Sequence, residues 1–209
     1  MKRHYALAVA GAVTAATCLS PMPKAQAQIA TVYNTSEPPT IRVAIRGLNP
    51  WGEPDPRGRV MWVQNVPFNQ YCEDVLPNEW IPSWDVDALK AGAMAIKMFA
   101  WYHHLHPVTI DGFTFDVDNT TNFQAFEYLS RQPETTAAVN AIRNFAYVKP
   151  NGEIIELNYR AGDKDSPNWQ YRNAQKMAQW GSEFWAKQGR TYVQILQFYY
   201  MDRRLQQYR

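Results

Sequence analysis

Residues 83–104, SWDVDALKAGAMAIKMFAWYHH, carry the strongest helical pattern in the chain. Between positions 89 and 102 the only charged side chains are Lys90 and Lys97, and seven positions apart they share one helix face. An apolar line runs along the helix at the matching spacing, made by Leu89, Ala93, Ile96 and Ala100. A helix with one thin polar stripe is mostly buried. The segment therefore predicts a buried helix at the centre of the fold, capped by Ser83 or Asp85.

Just before this helix, residues 74–84 (DVLPNEWIPSW) hold a single glutamate, Glu79, between two prolines and beside Trp80 and Trp84. The prolines stiffen the backbone, and the tryptophans can shield the carboxyl group from water. Such shelter keeps an acid protonated near neutral pH, as general acid catalysis requires. An ordinary loop packed on a core has the same pattern, so the residues alone leave both interpretations open.

The remaining segments mix strands and helices without βαβ repetition, which favours an α+β fold. Strands are predicted over residues 41–48 and 60–66, and a hairpin over 146–159 with Pro150–Gly152 as its turn. Helices are predicted from Pro67 to Pro77, over 136–145, over 174–189 and after Thr191, which can cap the last of them.

The N-terminus has the three parts of a signal peptide: a positive start, an apolar run that ends at Leu19, and an Ala-Gln-Ala cleavage site at 25–27. We therefore predict a signal peptide over residues 1–27, a mobile leader over 28–40 and one domain over 41–205. The mature protein is expected in the periplasm, the cell wall or the medium, without a membrane anchor after cleavage.

Charge and cysteine content narrow the class of protein. The full chain has a net charge of +2, and removing residues 1–27 takes away three positive charges and no negative ones, which leaves about −1. This near-neutral balance argues against nucleic acid as a partner. One cysteine, Cys72, remains, so an internal disulfide is excluded, and its place in an amphipathic helix predicts a buried thiol.

Motifs for cofactors and metals are absent: the chain has no Gly-rich phosphate loop, GxSxG, CxxC or HExxH pattern. Three histidines at the end of the central helix, with two aspartates that follow, form a set that could suggest a metal site, namely His103, His104, His106, Asp116 and Asp118. Histidines are favoured at a helix C-terminus by the helix dipole alone. We therefore expect no cofactor and no metal.

Four blocks, in order, resemble the SpoIID/LytB family, the stage II sporulation protein D and amidase-enhancer proteins of bacterial cell walls. The first block is similar to the family's short helix, its Val-Leu-Pro-x-Glu-Met-like turn and its Ala-Leu-Lys-Ala-Gln-Ala-like helix. The blocks span residues 66–102, 115–126, 136–159 and 177–200. The resemblance implies a single SpoIID-like domain in which the C-terminal helices form a groove.

Members of this family are similar to lytic transglycosylases that cut the MurNAc–GlcNAc bond of peptidoglycan glycan strands. The resemblance assigns the catalytic acid to Glu79. One carboxyl group suffices, because it protonates the glycosidic oxygen and then accepts the proton of the sugar's own C6 hydroxyl as that hydroxyl attacks C1. The alternative is a non-catalytic protein on the same fold that binds glycan or enhances a cell-wall amidase.

The chain departs from the family pattern at several positions. Asp118 and Phe123 replace a cysteine pair that helps to bind zinc in some members, which again predicts no zinc site. Asn173 stands where the family has a histidine, and a Gly-Gly loop is reduced. These substitutions favour the non-catalytic alternative, whereas the retention of Glu79 favours the enzyme.

Five further residues are candidates for substrate binding. Gln124 and Gln179 occupy family-matching positions and either hydrogen-bond sugar hydroxyls or bind backbone groups. Lys97 either orients the substrate or Glu79, or is a solvated lysine. Tyr159 and Trp180 either stack on a sugar ring or belong to the aromatic core.

Overall fold

The helix at the centre of the fold spans Val86–Leu105 in a computed structural model that describes residues 36–208. Asp85 caps it, because its side chain accepts a 2.9 Å hydrogen bond from the Asp87 N–H. Every residue from Ala91 to Trp101 is buried. The prediction of a mostly buried central helix is therefore confirmed.

Six helices and nine strands lie within residues 36–208 and confirm the α+β class. The helices are α1 (Phe68–Glu79), α2 (Val86–Leu105), α3 (Pro133–Ala141), α4 (Trp169–Asn173), α5 (Gln179–Lys187) and α6 (Tyr192–Tyr199). The strands are β1 (Thr40–Arg46), β2 (Val60–Pro67), β3 (Val108–Ile110), β4 (Phe113–Phe115), β5 (Val117–Asp118), β6 (Phe145–Val148), β7 (Tyr159–Arg160), β8 (Met177–Ala178) and β9 (Arg204–Gln207).

The strands form four small sheets, and β1, β5 and β6 contact α2. The largest has the order β2-β1-β5, in which β1 runs antiparallel to β2 and parallel to β5. Ile41 and Val43 of β1 are fully buried in the core, as the predicted alternation of this strand requires. Helices α1, α3, α5 and α6 pack against α2. The central helix thus provides the surface on which the other elements are positioned.

Helix α1 is longer than the sequence predicts. Pro67 caps its start as expected, but Pro77 lies inside the helix and does not end it. The last turn continues because the Trp80 N–H still donates to the Leu76 carbonyl, at 2.8 Å, although Pro77 itself has no N–H to donate. Glu79 is consequently the last residue of a helix rather than part of a loop.

The predicted hairpin over residues 146–159 is wrong. The turn itself forms, with the Gly152 N–H donating to the Lys149 carbonyl at 2.8 Å. However, β6 pairs antiparallel with β9 at the C-terminal end, from Phe145 opposite Gln207 to Val148 opposite Arg204. The returning segment instead buries Ile154 and Leu157 in the core. Packing of these two side chains therefore decides its path, and the C-terminal strand takes its place in the sheet.

The predicted leader meets the domain earlier than expected. Glu37 forms a 2.8 Å ion pair with Lys97 of α2, and it also accepts a hydrogen bond from the Tyr208 hydroxyl. At the other end of the domain, β9 reaches Gln207, two residues beyond the predicted limit. The predicted signal peptide lies outside the described residues. Among residues 36–208, no helix is long and apolar enough to cross a membrane.

Gly92 of α2 is the position where the indole of Trp80 lies directly against the helix. A Cβ atom built on Gly92 falls 2.5 Å from Trp80 Cδ2. We expect Gly92→Ala to lower the free energy of unfolding by about 1–2 kcal/mol, because the cost of overpacking exceeds the gain in helix propensity. Urea denaturation measures the change.

A double-mutant cycle separates this clash from any general effect on α2. In a Trp80→Leu background the indole is absent, so Gly92→Ala is expected to be neutral or stabilising. If Gly92→Ala stabilises the protein while Trp80 is present, the close contact between helix and ring does not govern this position.

Candidate functional site

The Glu79 carboxylate lies where three segments of the chain meet. Its Oε1 accepts a 2.8 Å hydrogen bond from the Ala125 N–H, and its Oε2 accepts one from Gln179 Nε2 at 3.0 Å. The Gln179 amide also donates to the Glu79 backbone carbonyl, at 2.7 Å. Both oxygens of the carboxylate are therefore held in fixed positions by partners that are distant in sequence.

Parallel pairing of two short strands brings Gln179 to this point. Tyr159 of β7 lies opposite Met177 of β8, and the Trp180 N–H donates to the Ala161 carbonyl at 3.0 Å. Tyr159 and Gln179 therefore border Glu79 together. Ala125 arrives by another route, since the loop that carries it continues from β5 at the edge of the large sheet.

A cleft of about 250 Å³ opens in front of the carboxylate. We call it the Glu79 cleft, and it is lined by Glu79, Thr121, Phe123, Tyr159, Arg160, Ala161 and Gln179. Glu79, Tyr159 and Gln179 were candidate site residues from the sequence, and the structure brings these three together. Thr121, Phe123 and Arg160 were not recognised as such, although the first two lie inside a family-like block.

Burial raises the pKa of the Glu79 carboxyl above its usual range. The Ala125 N–H, the Gln179 amide, the Tyr159 hydroxyl and the Arg160 charge act in the opposite direction and do not cancel it. Within the described residues, Glu79 forms no ion pair. Its position in the last turn of α1 also disfavours negative charge. The site thus presents a carboxyl group that retains its proton more readily than an exposed glutamate does.

A chain of buried hydrogen bonds supports the cleft from below. The Tyr71 hydroxyl donates to Gln124 Oε1 at 2.9 Å, and Gln124 Nε2 donates to the Tyr159 hydroxyl at 3.1 Å. The Tyr159 hydroxyl in turn donates a hydrogen bond to the Glu79 carboxylate, which lowers the pKa of that carboxyl group. Gln124 is fully buried and does not reach the cleft. It is therefore a structural polar group, one of the two roles the sequence allowed.

Lys97 and Trp180 do not belong to the Glu79 cleft. Lys97 is only 3 % exposed, and its Nζ donates to the Arg143 carbonyl at 2.5 Å and pairs with Glu37. It is neither a solvated lysine nor a neighbour of the carboxylate. Trp180 packs against Trp84 with the ring centres 4.6 Å apart, and it borders a separate pocket with Glu183 and Lys187. Among the shielding tryptophans, Trp84 therefore covers Trp180 rather than Glu79.

The other tryptophan, Trp80, supports the cleft through Tyr159. The two rings meet edge to face with centres 4.9 Å apart, and the Trp80 indole N–H donates to Ser182 at 3.0 Å. Trp80 is almost completely buried. It therefore stiffens the wall of the cleft behind Tyr159.

The histidines and aspartates that suggested a metal are engaged otherwise. Asp116 accepts from the Arg42 guanidinium, and Asp118 pairs with Arg46 at 2.9 Å. His104 contacts Asp116 at 3.1 Å, while His103 contacts Glu156 at 2.9 Å. Across residues 36–208, no group of three His, Cys, Asp or Glu side chains is arranged to hold a metal ion.

Two other predicted positions lie away from the cleft. Cys72 is buried, and burial raises the pKa of its thiol far above the usual range, so it is not an activated nucleophile. Asn173, at the position of the family histidine, is exposed at the end of α4 and does not line the Glu79 cleft. The cleft therefore contains one carboxyl group and no histidine.

The fold is thus an α+β domain, and its candidate site is built around a single sheltered carboxyl group. Comparison with known families identifies the domain: the SpoIID model, described as stage II sporulation protein, matches residues 56–149. This region, which includes Glu79, belongs to the SpoIID family, and the resemblance read from the sequence is confirmed over these residues. A SpoIID domain indicates a function related to sporulation or the cell wall.

A similar protein occurs in Brachyspira hyodysenteriae (strain ATCC 49526 / WA1), where it is described as uncharacterized. It is 41 % identical to this chain over 64 residues, which are 31 % of this chain. The aligned part covers only 17 % of that protein.

The hydrogen bond from Gln179 predicts a measurable effect on Glu79. Because the amide stabilises the ionised carboxylate, we expect Gln179→Ala to raise the pKa of Glu79 further. NMR titration of the Glu79 side chain measures this shift directly. Gln197→Ala, at an exposed position of α6, is the control and is expected to leave the titration unchanged. A lower pKa in Gln179→Ala would contradict the assigned role.

Proposed function

We propose that this chain is an exported peptidoglycan lytic transglycosylase with Glu79 as its single acid/base residue. The observation that carries the proposal is the Glu79 carboxyl itself, half-buried with a raised pKa and facing a cleft without an ion-pair partner in the described residues. The SpoIID family match supports a role at the cell wall. The signal-like N-terminus supports export.

The geometry suits chemistry with one carboxyl group. A neutral Glu79 donates its proton to the glycosidic oxygen as the bond to C1 breaks. The resulting carboxylate is stabilised by the Ala125 N–H and the Gln179 amide, at 2.8 and 3.0 Å. It then accepts the proton of the C6 hydroxyl as that oxygen attacks C1 and closes the 1,6-anhydro ring. The hydrogen bonds thus favour the ionised form at the stage when it is needed.

Glycan strands stripped of their stem peptides provide the test. The purified protein is incubated with these strands, and the products are analysed by mass spectrometry. The proposal predicts fragments with 1,6-anhydro ends, whereas intact strands or fragments with hydrolysed reducing ends would contradict it.

A second function, glycan binding or amidase enhancement without cleavage, is favoured by one observation. Asn173 replaces the family histidine and is exposed away from the cleft. In this case the protein retains strands in a pull-down experiment but yields no anhydro products. A cell-wall amidase is then the partner whose activity the protein should increase.

A further inference from the structure

Among the described residues that line the Glu79 cleft, Arg160 is the one with a basic side chain. It follows Tyr159 in β7, and it is exposed. The reaction proposed for Glu79 does not use it. We infer that Arg160 is a specificity-determining residue of this cleft, whose guanidinium binds the lactyl carboxylate of a MurNAc residue in the glycan strand.

The position of Arg160 beside the carboxyl group is fixed by the fold. Parallel pairing of β7 with β8 places Arg160 opposite Ala178, the residue before Gln179. The Gln179 amide donates to the Glu79 carboxylate at 3.0 Å. The guanidinium is tethered as well, because its Nη1 donates to the Tyr159 carbonyl at 2.6 Å. Binding to a tethered side chain costs less conformational entropy than binding to a freely rotating one.

Within residues 36–208, the Arg160 guanidinium has no carboxylate partner. Its one hydrogen bond uses Nη1, so Nε and Nη2 keep their N–H donors for another group. The planar fork of an arginine binds a carboxylate through two such donors side by side. Arg42 already uses Nε and Nη2 on the carboxylate of Asp116. The same two donors of Arg160 are available to a carboxylate from outside the chain.

Glu156, a carboxylate on which the Arg160 charge acts, is already bound by other groups. Its Oε1 contacts His103 Nε2 at 2.9 Å, and its Oε2 accepts a hydrogen bond from Asn158 Nδ2 at 2.8 Å. The hydrogen bond with His103 is the main cause of the lowered pKa of Glu156, and the Arg160 charge contributes less. Both oxygens of Glu156 thus have partners, and the Arg160 fork is left for a ligand.

The charge of Arg160 opposes the acid role of Glu79 in the free protein. Burial raises the pKa of the Glu79 carboxyl, whereas the nearby guanidinium favours its ionised form. A carboxylate bound to Arg160 neutralises this positive charge and places a negative charge in the cleft. Glu79 then retains its proton more readily when the glycosidic oxygen needs it. Recognition of the substrate and protonation of the acid are thereby coupled.

The sugar that reacts carries the carboxylate that suits Arg160. MurNAc is cut at its C1, and the same ring bears a lactyl ether at C3, whose carboxylate is free when no stem peptide is attached. In a strand with stem peptides, this carboxyl group forms an amide bond and has no charge. Charge-assisted hydrogen bonds are about twice as strong as neutral ones. Arg160 therefore distinguishes free lactyl carboxylates from blocked ones.

This inference rests on the proposed function, and binding measurements separate the two. Peptide-free glycan strands, and the same strands with their lactyl carboxyls converted to methyl amides, are titrated into the Glu79→Gln variant so that no cleavage occurs. This parent is expected to bind the carboxylate strands roughly tenfold more tightly. Addition of Arg160→Gln should abolish the preference by weakening the binding of the carboxylate strands alone. Arg160→Lys keeps the charge but not the fork, and should retain part of the preference.

Arg204→Gln is the matched control. Arg204 is exposed on β9, as Arg160 is on β7, but it does not line the Glu79 cleft. It should leave the preference unchanged, and an equal loss there would show that overall charge selects the strands. If Arg160→Gln keeps the preference, or weakens both kinds of strand equally, the role of Arg160 is overturned while the proposed function stands. If the Glu79→Gln parent binds neither kind of strand, the proposed function fails, and the inference fails with it.

Discussion

Glu79→Gln is expected to lower the formation of anhydro-ended products by at least about a hundredfold, which is the usual contribution of a positioned general acid. The substitution keeps the shape of the side chain but removes the proton that the leaving oxygen needs. The Ala125 N–H still finds an acceptor at the position of Oε1. Mass analysis of digested strands measures the loss. Glu73→Gln, on the same helix and half-buried, is the control and should retain activity.

Stability and pH dependence distinguish a catalytic Glu79 from a structural one. Because its pKa in the folded protein is raised by burial, the ionised carboxylate costs stability. This cost is absent below the pKa of the unfolded state and complete above that of the folded state. Glu79→Gln removes this charge but turns an amide donor toward the Gln179 amide, so its stability is expected to stay constant over the pH range in which the wild type loses stability. The wild-type rate should fall as pH rises through the pKa of Glu79, since the protonated form is lost. A destabilised but active variant would overturn the assignment.

Asp118→Asn is expected to destabilise the protein by about 3–5 kcal/mol, the cost of leaving a buried charge without its partner. Arg46 is buried, and its Nε donates to Asp118 Oδ2 at 2.9 Å. The other oxygen accepts from the Thr120 N–H and hydroxyl at 3.0 and 2.7 Å. Both carboxylate oxygens thus face donors, so an amide group cannot satisfy both sides. Chemical denaturation measures the change.

The loss of stability in Asp118→Asn depends on the charge of Arg46. A double variant tests this dependence. Arg46→Met combined with Asp118→Leu removes both charges and is expected to be more stable than Asp118→Asn alone. Lys149→Met breaks the more exposed pair with Glu153, at 2.8 Å, and should cost less than about 1 kcal/mol. If Asp118→Asn costs as little stability as Lys149→Met, the buried pair of Asp118 with Arg46 does not stabilise this loop.

The sequence predicts the parts of this fold in which local pattern and tertiary packing agree. The central helix shows its burial through the thin polar stripe, and Asp85 and Thr191 cap their helices as expected. The prediction of a hairpin after β6 is wrong because a turn sequence indicates where the chain reverses direction. It does not indicate which strand pairs with β6. The partner in this case is β9, about 60 residues away, and no local pattern reveals such a pairing.

The candidate site likewise contains some residues that the sequence predicts and others that it does not. Glu79 is visible in the sequence because prolines and tryptophans surround it, and Tyr159 and Gln179 follow from family-like blocks. The Ala125 N–H is invisible, since every residue other than proline has one. The role of Lys97 is also invisible in the sequence, because a lysine on a buried helix reveals nothing about the distant carboxylate, Glu37, that pairs with it.

The contacts of Lys97 also join the two ends of the described part of the chain. Glu37 and Tyr208 both meet the same ammonium group, so two points 171 residues apart in sequence come together at one place. The first and last parts of the described chain therefore lie against the same side chain of α2. Separating these two parts of the chain requires breaking the Lys97 contacts. The ends of the domain are thus fastened to each other independently of the cleft.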